Sequence, residues 1–143
     1  LAAANQRYLE ALSAVDNPAT AYRHVDELTK PIVVSGRSHR GFNPASKSGV
    51  KLFSAVLDGN YLVRGFRNAD IREALFGPNE DASERRCQSQ AVGRMLKRLH
   101  ARGLIAKVPN TRRWLVSHKG QRLLGTIIQL YYHGIPAATR PAA

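Results

Sequence analysis

The chain has 143 residues, 43% of them hydrophobic and 22% charged. That is enough for one packed domain and close to ordinary globular usage, which excludes wholesale disorder. Against 10 Asp and Glu stand 22 Lys and Arg, a formal net charge of +12, and a charge of that size speaks to partners rather than to fold, with a polyanion first among them. The single cysteine, Cys87, excludes an intrachain disulfide and a cysteine-rich zinc site.

The chain opens LAAANQRYLEAL, without Met and without the charged head and apolar core of a signal peptide, and so reads as a piece of something longer. Ala2 to Val15 carries one apolar stripe and is expected to be helical, stopping at Asp16-Asn17-Pro18. Asn17 can cap a second helix, with Pro18 in its first position, running to about Leu28. Pro31 to Val34 is β-like. Gly36 to Ser48 reads as a loop, rich in Gly, Pro, Asn and Ser, that carries Arg37, His39, Arg40 and Lys47. Those four are open to two readings, an arm that tracks a nucleic-acid backbone or a solvated loop. A domain edge is placed at the end of this loop. Residues 1–47 are expected to form a helical N-terminal extension and basic loop, 48–134 the main domain and 135–143 a flexible tail.

Ser48 to Leu57 is the next expected helix, with a core face of Val50, Phe53, Ala55, Val56 and Leu57. Asp58-Gly59-Asn60 turns the chain into a short strand from Tyr61 to Phe66. Asn68 can cap a helix from Ala69 to Phe76 that buries Ile71, Leu75 and Phe76, and Gly77 ends it. Asp81 or Ser83 starts a long helix to about Arg102, with Val92, Met95, Leu96 and Leu99 on one stripe and Gly103 as its stop. Leu104 to Val108 and Trp114 to Ser117 read as strands joined by a basic turn, Pro109 to Arg113. A last helix, His118 to Tyr132, buries Leu123, Leu124, Ile127, Ile128 and one of Leu130 or Tyr131. No apolar run reaches the ~20 residues of a membrane span, so no membrane partner is expected.

From Arg85 to Gly120 the chain carries many Lys and Arg and not one Asp or Glu. The order helix, strand, short helix, long basic helix, strand, basic turn, strand, helix over 48–132 resembles a winged helix-turn-helix domain. The resemblance is sharpest in SQAVGRMLKRLHARGLI, Ser89 to Ile105, which is similar to the recognition-helix segment of MarR-type regulators, and in KVPNTRRWLVSHKG, which looks like a wing. The pieces RYLEAL, GFRNADIREALFG and GLIAKVPNTRRWLVSHKG also resemble the C-terminal part of a group of long, uncharacterised bacterial proteins.

The fold class this implies is α+β, mostly α. A recognition helix locks one stripe to its domain and offers the other face to the major groove. Ser89, Gln90, Gly93, Arg94 and Lys97 are the candidates for that face, with Arg85, Arg86, Gln88 and Arg98 beside them. Arg94 suits a guanine edge and Gln90 an adenine edge. Gly93 costs about 0.5–1 kcal/mol against alanine in a helix, and reads equally as close approach to a ligand or as a tight helix crossing. Lys107, Asn110, Thr111, Arg112 and Arg113 are the wing candidates for phosphates or the minor groove; alternation points the two arginines opposite ways. Trp114 reads as packing the wing onto the helix, with base stacking as the alternative.

The histidines His24, His39, His100, His118 and His133 form no metal-ligand pair at useful spacing, and no phosphate-cradling glycine loop is present. The expectation is a binding protein without metal, cofactor or catalytic residues, in a reducing, cytoplasmic compartment. Any enzymatic activity would belong to sequence before Leu1. The favoured partner is duplex DNA, as for a transcriptional regulator, because a protruding helix suits the wide B-form groove. The alternatives left open are an RNA- or ribonucleoprotein-binding module, a protein-interaction domain, and an accessory domain of a larger mobile-element-type protein. By the MarR resemblance, a homodimer through the terminal helices is a further expectation.

Overall fold

Capping and turn residues set most of the element boundaries in the computed structural model, which describes residues 18–44 and 46–133. The expected helix Ala2 to Val15 and the tail 135–143 lie outside the described residues. Helix α1, Pro18–Thr29, opens on a proline, which needs no backbone donor there. Strands β1, Ile32–Val34, and β2, Arg37–His39, follow as an antiparallel hairpin with Val34 opposite Arg37. Ser35 and Gly36 turn it, both at positive φ (51° and 77°), the conformation a two-residue hairpin turn demands. The first part of the expected loop is therefore a strand.

Helix α2, Lys47–Val56, is capped by the Ser46 hydroxyl, which accepts from the Gly49 N–H at 3.0 Å. It buries Val50, Leu52, Phe53 and Val56. The Asp58 carboxylate then accepts from the Asn60 N–H at 2.9 Å and starts a 3-10 turn, Gly59–Tyr61. The expected strand from Tyr61 to Phe66 does not form. The chain keeps coiling, with the Gly65 N–H donating to Tyr61, and Phe66 alone pairs, as a bridge to Trp114 (2.8 and 2.9 Å). Gly65 sits at φ 78°, and a Cβ there would collide with the Trp114 carbonyl oxygen, so this bridge requires glycine.

Helix α3, Asn68–Phe76, begins one residue before the expected start. The Asp70 carboxylate accepts from the Arg67 N–H at 2.8 Å, and Asn68, instead of capping, donates its amide to the Ser89 carbonyl at 3.0 Å. Phe76, expected in the core, is 46% exposed. Helix α4, Ala82–Ala101, is capped by Asp81, whose carboxylate accepts from the Ser83 N–H at 2.9 Å. It ends at Gly103 with the paired bonds Gly103 to His100 (2.9 Å) and Leu104 to Leu99 (3.0 Å).

Strands β3, Ile105–Lys107, and β4, Trp114–Val116, pair antiparallel with Lys107 opposite Trp114. Between them Pro109 and Asn110, the latter at φ 59°, make the turn. Ser117 then caps helix α5, His118–His133, accepting from the Gly120 N–H at 3.0 Å.

The described residues thus make an α+β unit, mostly helical, with five α-helices and two small antiparallel sheets. One apolar cluster joins them, with Phe53, Phe66, Ile71, Val92, Leu99 and Leu124 fully out of solvent. Leu28 of α1 and Phe42 belong to the same cluster, so the core runs across the expected boundary at residue 47. In this packing α3 lies on α4, α2 on α3 and α5, and β3 on α4. Among the described residues, the side of α4 that carries Arg86, Gln90, Arg94 and Lys97 stays exposed.

Candidate nucleic-acid interface

Each residue of an α-helix turns the chain by ~100°, so Val92, Leu96 and Leu99, all buried, fix the inward side of α4. Arg86, Gln90, Arg94 and Lys97 fall on the outward side and all four are exposed. None of them has an ion-pair partner among the described residues, where the ion pairs are Lys30–Asp26 (2.6 Å) and Arg72–Glu73 (3.7 Å). Their positive charge is therefore uncompensated within this part of the molecule.

The other candidates on α4 are used differently. Arg85 folds back to donate to the Asn79 carbonyl at 2.8 Å. Gln88 and Ser89 are half-buried, and the Ser89 hydroxyl accepts from Arg72 at 3.1 Å, so Ser89 joins α4 to α3. Gly93 faces Asn68, but a Cβ there would meet only the Asn68 amide nitrogen at 3.7 Å, an ordinary contact. The packing among the described residues therefore does not require a glycine at 93, and the tight-crossing reading finds no support there.

Arg98 turns away from the outward side. It donates to the carbonyls of Arg40 and Gly41, and its guanidinium lies over the Phe42 ring at 3.9 Å. Burial, then the charges of Arg40 and Arg102, lower its pKa below the usual arginine value, though a guanidinium stays charged at neutral pH regardless. Arg102 continues this anchoring. It donates to the Glu27 carbonyl at 3.0 Å and to those of Lys30 and Arg40, closing the C-terminal end of α1. Neither role has a local signal in the sequence.

At the β3–β4 hairpin, Asn110, Thr111 and Arg112 are exposed at the tip. Thr111 also shapes it, its hydroxyl donating to the Val108 carbonyl at 2.9 Å and accepting from the Arg113 N–H at 3.1 Å. Arg113 is half-buried and reaches the Gly65 carbonyl at 3.4 Å, so the two arginines do diverge and only Arg112 is free. Lys107 is exposed with its ammonium 4.8 Å from the Trp114 ring centre. Trp114 packs edge-on against His100 at 5.2 Å, which ties the hairpin to the end of α4 as the packing reading expects.

Six of the fourteen predicted site residues thus carry exposed, uncommitted basic or amide groups: Arg86, Gln90, Arg94, Lys97, Asn110 and Arg112. Among the described residues no group of three or more His, Cys, Asp or Glu could hold a metal ion. No helix among them is long and apolar enough to cross a membrane. Comparison with protein-family models, with curated proteins and with solved structures returns no match.

Proposed function

We propose that the chain is a winged helix-turn-helix domain that binds duplex DNA, the sequence-reading part of a transcriptional regulator. In this reading α3, the connection 77–81 and α4 form the helix-turn-helix, and α4 is the recognition helix. The β3–β4 hairpin, with Phe66 as the remnant of a third strand, is the wing.

The observation that carries the proposal is the outward stripe Arg86, Gln90, Arg94 and Lys97 on a helix whose opposite side is core. Arg94 and Gln90 supply base-edge donors and acceptors, and Arg86 and Lys97 supply phosphate contacts. The exposed Arg112 and Lys107 grip the backbone or the minor groove beside the helix. Duplex DNA is favoured because the narrow major groove of A-form RNA does not admit a helix.

Competition tests the choice. A labelled DNA duplex bound to the purified chain is challenged with unlabelled duplex DNA and with structured RNA at equal phosphate concentration. Unlabelled DNA displaces the probe at the lower concentration if the reading holds. Displacement by RNA at tenfold lower concentration assigns the face to RNA instead.

A further inference from the structure

The outward face of α4 has two flanks. At ~100° per residue, Arg98 and Arg102 lie about 160° around the helix from His100. On the His100 side stands Trp114 of β4, and with it the base of the β3–β4 hairpin. On the other side Arg98 and Arg102 hold the carbonyls of Lys30, Arg40 and Gly41, the residues on either side of the β1–β2 hairpin. The C-terminal half of α4, where Arg94 and Lys97 are exposed, therefore lies between the bases of two β-hairpins.

The N-terminal hairpin is the less explained of the two. Arg37 and Arg40 are exposed, and neither side chain has a hydrogen bond or ion pair among the described residues. Lys30, by contrast, is answered by Asp26. After burial, the charges of Arg40 and then Arg102 lower the pKa of Arg98, and none of the three has an ion-pair partner among the described residues. Three guanidiniums gathered without a counter-charge disfavour one another, and an anion placed over them removes that cost.

We propose that the β1–β2 hairpin is a second backbone-gripping arm, in which Arg37 and Arg40 contact the sugar–phosphate strand on the flank of α4 opposite the β3–β4 hairpin. The inference rests on the preceding reading of α4 as the DNA-contacting helix. Arginine suits the task because its planar fork pairs with phosphate oxygens in two places. The tip residues Ser35 and Gly36 have little side chain with which to read a base, so the arm adds affinity and register but no sequence information. Duplex DNA is then held on both sides of the recognition helix.

The test compares wild type, Arg37→Ala/Arg40→Ala and Lys107→Ala/Arg112→Ala on a labelled duplex across a salt series, with a hydroxyl-radical footprint of each complex. The hydrogen bonds that fix the hairpin use the Arg40 carbonyl, which the substitution keeps, so the unfolding midpoint should not fall. The Arg37/Arg40 variant should bind with a log–log salt slope shallower by about 1.8, roughly 0.9 for each phosphate no longer neutralised. Its footprint should shorten at one end, and that of the Lys107/Arg112 variant at the other. Arg37→Ala alone, which disturbs no interaction within the fold, should give about half the change in slope. A wild-type slope and a full-length footprint in the double variant would overturn the arm while leaving the role of α4 intact. A reduced slope with both ends of the footprint equally weakened would also overturn it, since that is diffuse charge. Failure of the wild type to bind duplex DNA at all removes the proposed function and the arm together.

Discussion

Arg94 and Arg98 sit four residues apart on one helix, carry the same group, and do different things. Arg94 is exposed and unpaired; Arg98 is half-buried and bonded to backbone carbonyls near residue 40. Replacing Arg94 with Ala should leave the unfolding midpoint unchanged and cost about 1–3 kcal/mol of discrimination at one base pair. Replacing Arg98 with Ala should instead cost stability, about 1–2 kcal/mol by denaturant titration, because its hydrogen bonds and its packing on Phe42 both go. The sequence could not separate the two, because the partner of Arg98 is 57 residues away along the chain. Position 93 offers a converse experiment. Room exists for a methyl group beside Asn68, so Gly93→Ala should raise stability by about 0.5–1 kcal/mol.

At the scale of elements, capping chemistry accounts for most of what could be read in advance. Asp81, Gly77 and Gly103 bound α3 and α4 where the sequence puts them, because each signal is local. Asp81→Ala should therefore lower stability by about 1 kcal/mol, measured by thermal unfolding. Strands were harder to read. The β3–β4 hairpin was legible from two apolar runs about a Pro-Asn turn. β2 was not, because Arg-Ser-His has neither alternation nor β-branched residues, and its pairing is visible only once Ser35 and Gly36 are known to adopt positive φ. Tyr61 to Phe66 failed in the opposite sense. Tyr, Leu and Val favour a strand, but the Asp58 turn and the bend at Gly65 take the backbone elsewhere and leave Val63 88% exposed. Trp114 is the residue that seats β4 on α4. Trp114→Ala should cost at least about 2 kcal/mol and loosen the hairpin, seen as faster amide exchange at Val108 and Ser117, whose N–H groups donate to the Arg113 and Leu104 carbonyls across it.

For the molecule as a whole, the order of elements and the resemblance it carries implied the fold class, and the described residues do form an α+β unit dominated by helices. Periodicity alone sufficed for the side of α4 that meets the core, since Val92, Leu96 and Leu99 recur at helical spacing. The arrangement around that helix was not legible in the sequence, because it depends on bonds between residues far apart in the chain. The proposed site at this scale is a cationic ridge with a hairpin on either side, and its parts come from residues 37 to 112. A net charge of +12 predicts attraction to any polyanion; the fold predicts which surface does the holding.

That distinction can be measured by titrating a labelled duplex with wild type and with Arg94→Glu/Lys97→Glu over a range of salt concentrations. If the outward face of α4 and the hairpins beside it hold the duplex through five or six phosphates, wild-type affinity falls with a log–log slope of about −5. The charge-reversed chain, equally stable to denaturant, then loses retention at every salt concentration. Wild-type affinity and slope in the reversed chain would contradict the account, because the face on which it depends would be a bystander.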